Sequence, residues 1–228
     1  MDTAHGRFDE LRTGFTAAVS HELRTPLARI LALLDSADLP GADVQGLIAQ
    51  ARVEVEDAGA LIDEILFLSE LESGREVVAL GHTAALPVLS DVIAGLDDAA
   101  ARAGVELAAD GDAHADVPLR PRMLRIVAEN LAENAIRYAG PGATFTLSVE
   151  RDGDVVTLTG RDNGIGVDES ELARLFERFY RSDRARASRG TGLGLAIVKH
   201  IVTQAGGTVD ARGARGHGLE IRAELPAP

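Results

Sequence analysis

Apolar residues recur every three or four positions from Phe8 to about Asp35: Phe8, Leu11, Phe15, Val19, Leu23, Leu27, Ile30 and Leu34. That period marks one face of a helix and predicts a long amphipathic helix. The stretch DLPGAD, Asp38 to Asp43, interrupts it with a Pro-Gly breaker. Val44, Leu47, Ile48, Ala51, Val55, Ala58, Leu61, Ile62, Ile65 and Leu68 then resume the same spacing, so the first part of the chain reads as a helical hairpin. Two helices that are apolar along a full stripe cannot hide it against each other alone. The expected completion is a four-helix bundle made by two chains, hence a homodimer.

After Ser73-Gly74-Arg75 the pattern changes, placing a hairpin at residues 1–75 and a second domain at 76–228. Leu86–Arg102 and Arg122–Tyr138 read as helices, and Val105–Leu107 as a short strand between them. Thr144–Glu150 and Val155–Arg161 alternate apolar and polar residues around Asp152-Gly153, the signature of a β-hairpin. Helices are expected near Glu169–Tyr180 and over Leu193–Ala205, before a final strand pair, Thr208–Ala211 and Leu219–Leu225. Helices on one face of a sheet, an α/β sandwich, is the expected class.

The 228 residues are 46% hydrophobic, enough to fill a core. No apolar run approaches the roughly 20 residues that cross a bilayer, so the chain as given is expected to be cytoplasmic. It starts close to its first helix, and is read as a fragment of a longer, inner-membrane-anchored protein. The chain has no cysteine, which removes disulfides, thiolate metal sites and cysteine nucleophiles. A net charge of −13 argues against general nucleic-acid binding. Locally the sign reverses: Arg178, Arg181, Arg184, Arg186 and Arg189 crowd one stretch that could hold a small anion or form an ordinary solvated loop.

Within the first helix, SHELRTPL spans Ser20–Leu27. His21 and Thr25 lie about 40° apart on the side opposite Val19 and Leu23. Roughly three quarters of an exposed imidazole is neutral at pH 7 and carries a nucleophilic nitrogen. Glu22 is placed to accept the proton of the other ring nitrogen, and Thr25 adds a hydroxyl on the same face. Pro26 offers no N–H to the Glu22 carbonyl, so a bend or loosening is expected there, serving as a hinge.

In ENLAENAIRY, Glu129–Tyr138, helical spacing puts Asn130, Asn134 and Arg137 on one face. Neutral amide oxygens suit Mg²⁺, and an arginine suits phosphate. RDNGIG, Arg161–Gly166, follows a strand, and RGTGLGL, Arg189–Leu195, opens a helix. Glycines in such places let backbone approach a ligand, and a helix N-terminus favours phosphate. Asp162 at the strand end could accept from an exocyclic amine such as that of adenine, or serve as a turn residue.

Taken together, SHELRTPL, NLAENAIRY, DNGIG, LFERFYR and GTGLGLAIVKHIV resemble the H, N, G1, F and G2 boxes of HisKA-type sensor histidine kinases, in order and over nearly the whole chain. The resemblance implies a dimerisation and histidine-phosphotransfer hairpin followed by a Bergerat-type ATP-binding domain. It implies His21 as phospho-acceptor, Glu22 as acid/base partner and Thr25 as the hydroxyl used in dephosphorylating a partner. Asn130 and Asn134 match the Mg²⁺ residues, Arg137 the phosphate contact, Tyr138 the aromatic near the base and Asp162 the adenine reader. Gly164, Gly166, Gly190, Gly192, Leu193 and Gly194 match the nucleotide pocket, and Arg181 the F-box arginine. The segment Ser182–Arg189 would be a short ATP lid.

ATP and Mg²⁺ are the implied cofactors, and a receiver domain of a response regulator the implied partner. In ATP-hydrolysing relatives of this fold a glutamate stands one turn before the magnesium asparagine. Here that position is Asn130, and Glu129 sits about 100° round the helix from it, so kinase is favoured over hydrolase. An ATP-binding scaffold or phosphatase-dominant dimer is the alternative.

Overall fold

A computed structural model describes residues 3–74, 78, 81–182 and 190–228, with backbone alone for 3–17. Arg75, Arg184, Arg186 and Arg189, and most of the expected lid, lie outside the described residues, as do the side chains of Phe8, Leu11 and Phe15. The chain divides into two compact units, Met1–Ser69 and Glu70–Pro228.

The first unit is built on α1, Thr3–Ala37, and α2, Val44–Glu72. Gly41 adopts φ 82° in the connecting turn, a conformation open to glycine at no steric cost. The Asp43 carboxylate accepts from the N–H of Gly46 at 3.1 Å, satisfying one donor of the first turn of α2. Arg29 reaches Glu54 at 3.6 Å and ties the two helices together, Glu54 being buried on α2. Helix α1 runs unbroken through Pro26.

The apolar stripe of the hairpin separates into two lines. Leu23, Ile30, Leu47 and Ala58 are half-buried, and Leu61 and Leu68 are buried. Leu27, Leu31 and Leu34 on α1 are exposed, as are Val44, Ile48, Val55, Ile62 and Leu66 on α2. On α2 this outer line falls within about 40° of arc at 100° per residue. Leu31 is 62% and Val55 57% exposed, values far from those of core residues.

The second unit carries a sheet with helices over it. Two-residue strands β1, Thr83–Ala84, and β3, Asp116–Val117, pair antiparallel. Helix α3 covers Ala85–Ala103 and ends on Gly104 at φ 70°. Strand β2, Glu106–Gly111, then lies parallel to β4, Thr144–Asp152. Helix α4, Pro121–Tyr138, starts with proline at its first position, where no N–H is needed. Strand β5, Val155–Asp162, a 3-10 helix over Glu169–Arg174, helix α5, Gly194–Gln204, and strands β6, Thr208–Gly213, and β7, Leu219–Pro226, complete it. The large sheet runs β2-β4-β5-β7-β6.

Alternation decides which face is covered. Phe145, Leu147, Val149, Val156, Leu158, Ile221, Ala223 and Leu225 are buried, and the residues between them are polar or part-exposed. Met123, Leu124, Val127, Ala128, Leu131, Ala132 and Ala135 of α4 supply the facing layer. Gly160 lets them meet: a Cβ there would stand 3.2 Å from the Phe145 ring and 3.3 Å from Leu131. Each fully buried leucine contributes roughly 1.5–3 kcal/mol, so this layer alone stabilises the unit substantially.

One expected helix is not found. Glu169–Tyr180 forms a 3-10 turn only as far as Arg174, followed by single turns such as Glu177 N–H to Arg174 O at 2.9 Å and Tyr180 N–H to Glu177 O at 3.2 Å. Phe179 lies at φ 60°, a left-handed conformation that ends any helix.

Candidate functional site

On α1, His21 and Thr25 are both exposed and Glu22 is half-buried. His21, Arg24, Thr25, Ala28, Arg29 and Ala32 line a shallow depression of about 440 Å³. The Thr25 hydroxyl donates to the His21 carbonyl at 3.4 Å, a long bond. Its oxygen keeps its acceptor capacity for a water or phosphate-bound group. Pro26 gives the Glu22 carbonyl no N–H, so this surface carries a backbone acceptor that an ordinary helix would have used.

The second cluster is organised by α4. Asn130, Asn134 and Tyr138 follow one another at four-residue steps, and all are half-buried. The Asn130 amide nitrogen donates to the Ile126 carbonyl at 2.8 Å, which leaves Oδ1 turned toward Gly194. That oxygen abuts Gly194, where a Cβ would collide with it. An amide with its donor engaged and its oxygen presented beside bare backbone is the donor set a hard cation takes, so this residue fits a magnesium ligand. Arg137 is held by Glu133 one turn back, at 2.6 Å. One of its terminal nitrogens lies 3.7 Å from where a Gly190 Cβ would stand, with the Tyr138 hydroxyl at 2.6 Å from the same point. Glu129, beside Asn130, has its carboxyl pushed up by burial; Arg125 opposes the shift and Glu133 adds to it.

The glycine segments close in on this helix. Gly164 has no room for a Cβ because Ala139 fills the space, and the Ile165 N–H donates to the Ala139 carbonyl at 2.9 Å. Asp162 ends β5 and is only 8% exposed. Its Oδ1 accepts from the Gly164 N–H at 2.8 Å. Burial raises its carboxyl above the usual range, and backbone donors at Gly164 and Leu219 pull it back. Gly166 adopts φ 61° against the Ala214 carbonyl. Gly192, φ 72°, meets Phe179 and Tyr180, and Leu193 behind it is fully buried. Arg181 is half-buried just after the F-box turn.

The expected nucleotide residues thus gather at α4 and the two glycine segments of one unit, whereas His21, Glu22 and Thr25 stand on the other. Two contributors were not singled out from the sequence. Gly218, φ 78°, packs on the Asp162 carbonyl, and a glycine immediately before the last strand was the available signal. Phe179 gave none, since a left-handed phenylalanine has no compositional mark.

Comparison with known proteins adds independent weight. Residues 11–74 match the His Kinase A (phospho-acceptor) domain, and residues 120–228 match the histidine kinase-, DNA gyrase B-, and HSP90-like ATPase family. The sensor-like histidine kinase SenX3 of Mycobacterium tuberculosis is 33% identical over 98% of this chain and 56% of its own length. The chain therefore spans about half the length of the curated relatives it matches. Among solved structures, full-length ShkA in complex with AMPPNP has a TM-score of 0.69 at 28% identity, covering 92% of this chain and 45% of its own. ThkA in complex with response regulator protein TrrA has a TM-score of 0.77 at 19% identity, covering 97% of this chain and 64% of its own, and speaks for the fold alone.

Proposed function

The chain belongs to the HisKA-type sensor histidine kinases of two-component signalling, and on that premise we propose that it phosphorylates its own His21 from ATP and passes the phosphoryl group to an aspartate of a response-regulator receiver domain. Residues 1–75 serve dimerisation and phosphotransfer, and residues 76–228 bind the nucleotide. The observation that carries this reading is the Asn130 oxygen presented to the Gly190–Gly194 turn beside Arg137, with Asp162 buried at the end of β5. The exposed outer line on α1 and α2 supports a homodimer, because a second copy of the hairpin is the surface with the matching stripe. The phospho-acceptor domain matched over residues 11–74 supports a phosphotransfer partner of this class. The relatives named as sensors are longer than this chain, which leaves room for the membrane anchor we infer for the whole protein, with these residues as its cytoplasmic core.

In this mechanism Asp162 accepts from the adenine amine, and Tyr138 lies near the base. Gly164, Gly166, Gly190, Gly192, Leu193 and Gly194 bring bare backbone to the nucleotide, and Arg137 and Arg181 meet phosphate oxygens. Asn130 and Asn134 would hold Mg²⁺, which supplies charge neutralisation on the phosphates when bound. With the imidazole in line, its nitrogen lone pair forms the N–P bond as the P–O bond to ADP breaks and ADP leaves with the electron pair. Glu22 takes up the proton released from the other ring nitrogen. In the reverse activity on the regulator, Thr25 and Glu22 orient a water.

Incubation with γ-labelled ATP and Mg²⁺, beside His21→Ala, tests the reading. Acid-labile, alkali-stable label that is lost in the variant is the expected result. ATP binding without label would instead favour the scaffold or phosphatase-dominant reading.

A further inference from the structure

Phe179 is the one non-glycine residue with positive φ among the described residues, at 60°. A bulky side chain disfavours that conformation, and it persists only where the surroundings over-determine it. Here they do. The Phe179 N–H donates to the Gly192 carbonyl at 2.9 Å. Gly192 is itself left-handed at φ 72°, and a Cβ on it would stand 2.8–2.9 Å from the Phe179 carbonyl carbon, the Phe179 Cα and the Tyr180 carbonyl oxygen. The two backbones therefore touch directly, with no space for a side chain on the glycine.

Each side of this contact is anchored. Tyr180, next in the chain, donates its hydroxyl to Glu171 at 3.0 Å and lies under the Arg174 guanidinium at 4.2 Å. Glu171 and Arg174 belong to the 3-10 helix, which Asp168 caps by accepting from the Ser170 N–H at 3.0 Å. On the other side, Gly190 faces the Tyr138 hydroxyl and Gly194 faces Asn130 Oδ1. The strained residue stands between a braced turn and the glycine turn that meets α4.

We propose that Phe179 is a positioning residue. Its left-handed backbone clasps Gly192 and so sets where the Gly190–Gly194 backbone stands against Asn130 and Tyr138, fixing the wall of the site that faces the nucleotide phosphates. The proposal rests on the nucleotide-binding reading above and assigns the work to the backbone of Phe179 rather than to its ring.

Three variants of the full chain separate these possibilities: Phe179→Gly, Phe179→Pro and Gly192→Ala. Binding of AMPPNP with Mg²⁺ is measured by titration calorimetry, and amide hydrogen exchange at Phe179 is read in parallel in the parent and in Gly192→Ala. Glycine adopts φ 60° freely, so Phe179→Gly is expected to bind within about twofold of the parent. Proline fixes φ near −65° and has no N–H, so Phe179→Pro should bind about tenfold more weakly or worse. Gly192→Ala should weaken binding to a similar extent and speed exchange at Phe179 by about tenfold, while the melting temperature of the second unit falls by only about 2–4 °C because the shift is confined to the turn. Equal losses in Phe179→Gly and Phe179→Pro would overturn the proposal by giving the role to the ring. So would parental affinity and slow exchange in Gly192→Ala. If the parent itself bound no nucleotide, the kinase reading would fail, and exchange alone would then decide the clasp: a rapidly exchanging Phe179 amide in the parent overturns it.

Discussion

Helix α2 leaves Val44, Ile48, Val55, Ile62 and Leu66 exposed along its length, whereas α4, a shorter helix, buries seven residues and exposes no large aliphatic side chain. Both helices are amphipathic in sequence, so their patterns alone do not distinguish them. The difference lies in what each is given to pack on. Helix α4 has a sheet beneath it and a complete core in its own chain. Helix α2 has α1, with an ion pair between Arg29 and the buried Glu54 where a core would be apolar. One unit is self-sufficient, and the other leaves an apolar line uncovered, the pattern expected of one half of the proposed dimer.

The largest effect that bears on this contrast is on association. Val55→Glu combined with Ile62→Glu places carboxylates in the outer line of each copy. The expected outcome is a rise of about a thousandfold or more in the dimer dissociation constant, since each uncompensated charge at an apolar contact costs several kcal/mol. Light scattering should give the monomer mass, with the melt of the second unit unmoved. A parent chain that is already monomeric at tens of micromolar would break the comparison itself.

Next in size is Asn130→Ala, which acts on the other unit. Removing the amide oxygen beside Gly194 should lower the rate of protein labelling by about a hundredfold, the scale of one lost charge-stabilising ligand in a phosphoryl transfer. The dimer mass should be unchanged. Asn130→Asp keeps an oxygen and is expected to fall between the two. If both variants label at the parental rate, Asn130 is a packing residue of α4.

The sequence made long elements plain because periodicity accumulates over many residues. It separated the hairpin from the sheet and placed α3, α4, α5 and the β4–β5 hairpin within a few residues. The two-residue strands β1 and β3 were invisible, since two residues carry no period. The parallel pairing of β2 with β4 was equally so, because nothing in EL or TF states a direction. Glu169–Tyr180 misled because its apolar residues Leu172, Leu175, Phe176 and Phe179 recur at helical intervals, yet successive three-residue turns and the left-handed Phe179 put them in place. The glycines of the site were legible as a pattern; their reason was not. That Gly194 must be bare because Asn130 Oδ1 occupies the space of its Cβ is a fact of packing between α4 and α5.

A smaller effect divides the chemistry of the hairpin. Thr25→Ala removes the hydroxyl whose bond to the His21 carbonyl is long at 3.4 Å, and should leave α1 intact. Dephosphorylation of a cognate receiver should drop by about tenfold or more, the range of a positioned general acid–base or orienting group. Labelling of His21 should stay within about twofold of the parent, because the nucleotide is held by the other unit. Equal loss of both activities would make Thr25 a structural support of the histidine face.

The smallest effect is a matter of sign, and it tests how the self-sufficient unit holds its charges. Asp162 has a carboxyl raised by burial from its ordinary value of about 3.8, so the folded state binds its proton more tightly than the unfolded chain does. Its contribution to stability is then fully present below that ordinary value and is lost as pH rises through the folded one. Asp168 is the reverse. The Ser170 hydroxyl and N–H, with Arg215 nearby, lower its carboxyl. Its contribution is present above the ordinary value and lost as pH falls through the folded one. Denaturant melts of the parent, Asp162→Asn and Asp168→Asn between about pH 3 and pH 7 should therefore diverge in opposite directions. The stability of the parent relative to Asp162→Asn should decline as pH rises, and relative to Asp168→Asn it should grow. Curves of the same slope would mean that Asp162 is not desolvated in solution, and its place as a buried acceptor at the end of β5 would fall with it.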